Sequence, residues 1–304
     1  CGGSTQIRIL TLRPGPGPGP SHHGIPARGG PSGSTSSGFG SLLNHRQARH
    51  QADHDALFAA AEQLIPSLKG RLTAGDMPLL AMADADMAPG AVTLALHEHW
   101  RLAHPEAGPA YWLTRSWGML CWQSIYLAMV AVYRVGAVPA LDRMGLGYGA
   151  GLVSGFSLPA LPMIRGEREV LIEAAGRRLR RHWQGLFETM ASGQRLRPGF
   201  VRPLLADDLL AALVRVPDFF DEVSREQVAA HAPLWLAACG LPAEHLAGWR
   251  LAVEPAGETS AAPGYVRQRC CLHHKRSDGS LCDNCPRQQD PQARCGDGTT
   301  QAQQ

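Results

Sequence analysis

The sequence has little that points to the commoner classes of ligand. Charged residues make up 18% of its 304 residues, and the net charge is only +3. A nucleic-acid-binding protein usually carries a concentrated basic stripe, so this balance does not favour one. The alternating glycines Gly145, Gly147, Gly149 and Gly151 lack the strand–turn–helix context of a dinucleotide-binding loop. With no flavin or nicotinamide signature, any reducing power would come from another protein or a free reductant.

A clean membrane-spanning run is also missing. Residues 109–138 are the most hydrophobic part of the chain, but Arg115, Gln123 and Arg134 interrupt them. A transmembrane helix needs about 20 apolar residues with few charges. We therefore predict a long buried helix here, with a membrane span as the alternative.

Composition divides the chain into four parts. Residues 1–43 are rich in Gly, Pro and Ser; they cannot bury enough apolar surface to offset their ordering entropy, and we predict disorder. Residues 44–264 show helical periodicity and are predicted to form a mainly helical core. The cysteine-rich part follows at 265–287, and 288–304 is predicted to be a flexible tail.

Within the core, the hydrophobic pattern predicts several helices and a few strands. The first helix is expected to begin near Asp53, with Asp53 or Asp55 as its cap and Pro66 as a bend. Further helices are predicted at Val92–Leu102, 109–138, 166–192, Arg202–Val214 and Ser224–Ala238, and strands within 141–163 and at Trp249–Val253. The expected fold is α+β, mainly helical, with a few short strands and a C-terminal four-cysteine segment.

Four of the eight cysteines fall within 16 residues, as Cys270, Cys271, Cys282 and Cys285. The C-x2-C pair lets two thiolates converge on one metal from a tight turn. The other pair is vicinal, and neighbouring side chains on an extended strand point to opposite faces. Such a pair suits a cluster with two metal atoms better than a single ion. We expect two short strands joined by a turn at Ser277–Ser280, with the ligands at one end.

Other chemistries fit four thiolates as well. Structural zinc and a redox disulfide are alternatives to an iron–sulfur cluster, although zinc sites usually combine C-x2-C with a second such pair or with His. His273 and His274 are alternative ligands. Of the remaining cysteines, Cys121 and Cys239 are predicted to be buried, and Cys295 is a spare thiol near the site.

The cysteine motif, with Arg269 before it and Pro286 after it, resembles that of the ferric-siderophore reductase family, the FhuF-like proteins. That family ends in a vicinal cysteine pair, ten intervening residues and C-x2-C-Pro, which bind one [2Fe–2S] cluster. A second likeness lies in YWLTRSWGMLCWQSIYLA, residues 111–128, which is similar to the branch described as proteobacterial siderophore ferric iron reductases. The resemblance covers about residues 52 to 287.

The resemblance implies a cytoplasmic oxidoreductase, peripheral to the inner membrane, that reduces siderophore-bound Fe(III) by one electron and releases intracellular iron. Its substrate would be a ferric siderophore of the hydroxamate class, and a separate protein or reductant would donate the electron. The four cysteines would bind the [2Fe–2S] cluster, with no further catalytic residue. Hard oxygen donors hold Fe(II) less well than Fe(III), so reduction frees the metal.

Charge and aromatic residues suggest where a chelate would bind. From Tyr265 to Arg294 there are six Lys or Arg against three Asp, and this positive charge favours the reduced cluster and attracts anionic chelates. Tyr111, Trp112, Arg115 and Trp117 are candidate siderophore-binding residues, with core packing as the alternative. Two other functions compete: a zinc-stabilised, non-enzymatic binding protein, and an iron–sulfur electron carrier or sensor without its own substrate.

Overall fold

A computed structural model describes residues 37–73, 80–82, 87–149, 151–249 and 264–289, and every structural statement below refers to these residues. Seven α-helices lie in this part of the chain: α1 (Ser37–Leu64), α2 (Pro89–Ala103), α3 (Gly108–Met129), α4 (Arg168–Ala191), α5 (Pro198–Leu213), α6 (Val216–Phe219) and α7 (Arg225–Cys239). The six strands are β1 (Gly70–Thr73), β2 (Leu80–Met82), β3 (Ala137–Val138), β4 (Gly145–Gly149), β5 (Leu152–Pro159) and β6 (Ile164–Arg165). The predicted mainly helical α+β class is confirmed.

The strands form two small sheets. The larger has the order β1-β5-β4-β2, in which β4 and β5 pair as an antiparallel hairpin and the outer strands run parallel to their neighbours. The smaller is the antiparallel pair of β3 and β6. The predicted strands within 141–163 correspond to β4 and β5.

Helix α3 is the centre of the core. It packs against α2, α4, α5 and β5, and a π-helical turn at Val130–Val135 extends it. Buried polar groups fix its register, since the Trp183 indole N–H of α4 donates to the Ser124 hydroxyl at 3.0 Å. By length and composition Pro105–Val135 could cross a membrane, but 67% of its most apolar stretch is buried inside the fold. Its apolar residues therefore serve the core, as the sequence predicts.

Local signals define several helix ends well. Ser224 and Gln227 form a reciprocal capping box at the start of α7, and Gly240 ends that helix in the left-handed conformation, φ 64°. The start of α1 was mispredicted: the helix begins at Ser37, so Asp53 and Asp55 lie inside it and cap nothing. Asp53 instead forms an ion pair with Arg165 of β6.

The helix α1 also ends at Leu64, so Pro66 follows it rather than bending it. The predicted strand at Trp249–Val253 is represented by an isolated bridge from Trp249 to Tyr265, and 250–253 lie outside the described residues. So do residues 1–36 of the predicted disordered segment, residues 290–304 of the predicted tail, and Cys295.

Candidate iron–sulfur site

The cysteine segment is attached to the helical core at its N-terminal end. Tyr265 pairs with Trp249, and the Val266 amide donates to the Gly248 carbonyl at 2.8 Å. The Arg267 amide donates to the Asn284 carbonyl at 3.0 Å, which closes the segment on itself and brings its two ends together. This hydrogen bond therefore brings the vicinal cysteine pair near the C-x2-C pair.

The predicted strands in this segment were wrong. Beyond Tyr265 the described residues form turns and two 3-10 helices, at His273–Lys275 and Pro286–Gln289. Leu272 directly follows the vicinal pair and has φ 61°, the left-handed conformation. Its amide donates to the Cys270 sulfur at 3.4 Å. The vicinal cysteines thus enter a tight turn, and a backbone N–H faces one of their sulfurs.

The thiols approach one another across the loop. The sulfurs of Cys271 and Cys282 lie 3.5 Å apart. Two thiolates on one tetrahedral metal, with metal–sulfur bonds of about 2.3 Å, lie about 3.8 Å apart, so this pair is near the spacing of two ligands of one metal atom. Cys285 is buried, and its amide donates to the Cys282 carbonyl at 2.9 Å, so the C-x2-C pair forms one tight turn.

The surroundings favour a thiolate at Cys271. A hydrogen bond from Cys282 lowers the pKa of Cys271 against the effect of burial, and the His273 amide and the Arg267 guanidinium add to the lowering. The pKa of Cys282 is correspondingly raised. Burial raises the pKa of Cys270. Metal ligation requires thiolates, and this site already stabilises one of them.

His274 contacts the sulfur of Cys270. Its Nδ1 lies 3.6 Å from the Cys270 sulfur, and its Nε2 lies 2.9 Å from a guanidinium nitrogen of Arg287. Because arginine can only donate, Nε2 must be the acceptor, and Nδ1–H points at the sulfur. In this arrangement His274 hydrogen-bonds a ligand and does not replace one.

Two adjacent acids on α5 hold the segment, and the sequence analysis missed both. Asp207 is fully buried and accepts hydrogen bonds from the amides of Gln268 and Arg269, at 2.9 and 2.7 Å. Asp208 pairs with Arg267 at 2.7 Å. Burial would lower the pKa of Arg267, but these two carboxylates raise it above its usual range. In the sequence, these two acids could have been found because they interrupt the apolar run LLADDLLAAL, where charged residues are rarely buried without a partner.

The structure separates the four candidate siderophore-binding residues. Tyr111 and Arg115 lie at the cysteine segment, where the Cys271 charge acts on Arg115 and the Arg276 charge acts on both. Trp112 donates its indole N–H to the His104 carbonyl at 2.7 Å. Trp117 is 1% exposed and lines a different cavity of about 240 Å³ between α3, α4, α5 and α7. Trp117 therefore packs in the core, which was the alternative to a siderophore-binding role.

Burial largely isolates the Arg115 guanidinium. It stacks 4.7 Å over the Trp100 ring, and burial lowers its pKa. Its Nε is buried without a hydrogen-bond partner among the described residues. Arg115 is thus an incompletely paired cation on which the Cys271 charge acts.

Among the described residues, no three His, Cys, Asp or Glu side chains converge on a point that would hold a single metal ion. The donor set nevertheless fits an iron–sulfur cluster, because four cysteines lie in one closed segment, the Cys271 and Cys282 sulfurs have the spacing of shared ligands, and N–H groups face the Cys270 sulfur. Cys121 and Cys239 are buried apart from the segment, as predicted. The fold and site thus define a mainly helical protein with a C-terminal four-cysteine segment.

Comparison with known families agrees with this class. Residues 267–287 match the family model described as the FhuF 2Fe-2S C-terminal domain. The resemblance of the C-terminal 2Fe–2S motif to that of the FhuF-like family is thereby confirmed over these residues, and the likeness at residues 111–128 stays a prediction. No solved structure matches the chain.

Proposed function

We propose that this protein is a ferric-siderophore reductase that passes one electron to siderophore-bound Fe(III) and releases Fe(II). The observation that carries the proposal is the match of residues 267–287 to the FhuF 2Fe-2S C-terminal domain, in a segment that contacts the start of α3, where the charges of Cys271 and Arg276 act on Arg115. An iron–sulfur segment with cations beside it has both an electron carrier and a positive charge that attracts an oxygen-rich, anionic chelate.

The docking face is formed where the cysteine loop meets α3. The Ser277 amide donates to the Glu106 carboxylate at 3.0 Å, which holds the loop against the residues that precede α3. Arg276 is oriented by two hydrogen bonds to Asp278, at 2.8 and 2.5 Å. Its charge acts on Tyr111 and Arg115. Residues distant in sequence thus bring the cations Arg115 and Arg276 to the junction of the cysteine segment and α3.

This charge supports the chemistry in two ways. Cations beside Cys271 attract an anionic or strongly polarised ferric chelate, and they favour the more negative, reduced state of a cluster. The described cations of the segment itself, Arg267, Arg269, Lys275, Arg276 and Arg287, extend the attraction over its surface.

The four cysteines would hold a [2Fe–2S] cluster, which supplies one-electron transfer when bound. The electron would come from a donor protein or a free reductant, and Fe(III) of the chelate would take it up as Fe(II). Oxygen donors bind Fe(II) less strongly, so the metal leaves and the ligand is unchanged. We place this reaction in the cytoplasm, with peripheral association at the inner membrane, and propose a hydroxamate siderophore as substrate.

Anaerobic purification with iron and sulfide analysis tests the cofactor, and an Fe(II)-trapping assay with a ferric trihydroxamate tests the activity. We expect about two irons and two sulfides per chain and an electron paramagnetic resonance signal after reduction. Cys282→Ala should lose both the cluster and the activity. Cys239→Ala, a buried cysteine outside the segment, should retain both. A chain with its full cluster that fails to reduce any ferric chelate would contradict the reductase and leave an electron carrier or sensor.

The docking face is tested separately with Arg115→Gln. We expect the KM for an anionic ferric chelate to rise about tenfold or more, because a buried cation contributes about 1.5–3 kcal/mol to a charged hydrogen bond. A neutral chelate should be affected less, and the cluster spectrum should not change. Arg134→Gln, at the other end of this long helix and paired with Glu222, is the matched control. Equal KM values for Arg115→Gln and wild type would remove this face from the proposal.

A further inference from the structure

We propose that Asp207 is the positioning residue of the cysteine segment. Its carboxylate holds the backbone that enters Cys270 in the conformation that presents the vicinal thiols, and its negative charge lowers the reduction potential of the bound cluster. The inference rests on the cluster part of the proposed function and is independent of the substrate.

The geometry concentrates several donors on one buried carboxylate. Oδ2 accepts the Arg269 amide at 2.7 Å. Oδ1 accepts the Gln268 amide at 2.9 Å and the Tyr265 hydroxyl at 2.6 Å. The two amides belong to the two residues directly before Cys270, so Asp207 binds the chain immediately upstream of the first cysteine.

The Asp207 carboxylate accepts backbone hydrogen bonds that a neighbouring strand would accept in a sheet. Residues 267–269 belong to no strand, yet a backbone N–H away from water needs an acceptor. One carboxylate supplies acceptors to two consecutive amides, which a carbonyl in a sheet would normally do one at a time. The path of the chain into the vicinal pair is therefore fixed from α5 and not by local sequence.

The carboxylate is itself held in place. His245 Nδ1 lies 2.8 Å from Oδ1, and His245 is 3% exposed. The Tyr265 ring is fully packed in the core, at 1% exposure. Burial raises the pKa of the Tyr265 hydroxyl, and the neighbouring Asp207 carboxylate raises it further, which keeps this group a donor. Asp207 thus has few alternative rotamers, as a positioning role requires.

Asp207 also brings negative charge to the cluster side of α5. Arg267 pairs directly with the neighbouring Asp208 at 2.7 Å, so the direct partners of Asp207 are two amides, the Tyr265 hydroxyl and His245. In a buried, low-dielectric setting a charge acts over longer distances than in water. Negative charge near a cluster disfavours its reduced, more negative state. Removal of this charge should make the cluster easier to reduce.

The variant Asp207→Asn tests both parts. The new asparagine carries an NH2 group in place of one carboxylate oxygen. Because N–H or O–H groups approach both oxygens of Asp207, this NH2 group must face a hydrogen-bond donor in either orientation. Loss of groups that orient metal ligands typically weakens metal binding about 10- to 100-fold, so we expect chelator-driven cluster loss to accelerate by a similar factor. The midpoint potential should rise, and the Arg269 amide should exchange hydrogen faster in the cluster-free protein.

Asp218→Asn is the charge-matched control, since it removes a carboxylate that pairs with Arg225 and not with the cysteine segment. It should leave the potential, the rate of cluster loss and the exchange of the Arg269 amide unchanged. Identical behaviour of the two variants in all three measurements would overturn the positioning role, as would an Asp207→Asn protein with a wild-type potential and cluster-loss rate.

Tyr265→Phe decides the question if Asp207→Asn does not accumulate. It deletes only the 2.6 Å hydrogen bond and retains the charge and both amides. We expect faster cluster loss at an unchanged potential, whereas a wild-type loss rate would overturn the proposal. None of these measurements uses a ferric chelate, so a failure of the reductase function gives a different result from a failure of this inference.

Discussion

Gly279 is the position at which the loop between the two cysteine pairs is most sensitive to a single added carbon. A Cβ at this residue would lie 2.1 Å from the His273 carbonyl oxygen and 3.1 Å from the Arg276 Cβ, whereas ordinary contacts begin at 3.4 Å. The obstacle is backbone, which cannot rotate away like the end of a side chain. Gly279→Ala must therefore displace the loop itself by about 1 Å or more.

The cost can be estimated from overpacking in well-packed sites, which destabilises by about 1–3 kcal/mol. The loop joins Cys271 to Cys282, whose sulfurs are 3.5 Å apart, so the strain falls on the arrangement that binds the metal. An energy of this size corresponds to an affinity for the cluster that is about 5- to 150-fold weaker. We expect a purified Gly279→Ala protein with less iron and sulfide and faster cluster loss to a chelator.

Gly118→Ala is the matched control for this substitution. Gly118 lies inside α3, and a Cβ there meets nothing within 4 Å. Alanine is favoured over glycine in a helix by about 1 kcal/mol, so this variant should melt at a higher temperature with an unchanged cluster. A Gly279→Ala protein with wild-type iron content and cluster-loss rate would refute the reasoning, because it would show that the loop does not approach His273 so closely.

Three further predictions follow from the described residues. Leu272→Gly should retain the cluster because glycine accepts φ 61°, whereas Leu272→Val should lower the iron content because a β-branched residue is a steric outlier there; a Val variant with full iron would contradict this. Burial lowers the pKa of His182 from 6.5 to about 4, so the unfolded chain binds a proton that the folded one rejects between these values. The free energy of unfolding should not depend on this residue above pH 6.5 and should fall by about 3 kcal/mol between pH 6.5 and 4. Urea titrations of wild type and His182→Gln at several pH values measure this fall, and the same pH dependence of the unfolding free energy in both proteins would exclude a contribution from His182. Gly248→Ala should loosen the start of the cysteine segment, because its Cβ would lie 2.0 Å from the Val266 carbonyl oxygen; limited proteolysis within 264–289 should become faster, and an unchanged pattern would argue against this attachment.

The cysteine motif and the helical class could be predicted because both are written in local sequence. A C-x2-C pair needs only one turn, and amphipathic periodicity reports burial without reference to partners. The start of α1 at Ser37 was missed because the prediction depended on apolar periodicity, which becomes clear only near Asp53. The strands expected around the cysteines were wrong since the pattern could not indicate the left-handed turn at Leu272.

Tertiary structure alone decided the surroundings of the cysteines. The sequence by itself determined where the cysteine-rich segment lies and that a mainly helical core would carry it. It could not determine that Asp207 binds the chain before Cys270, or that Arg115 lies beside Cys271, because these partners are separated by some 60 to 160 residues. The interactions of buried charges depend on distance in space, and the packing of α3 and α5 against the cysteine segment sets that distance.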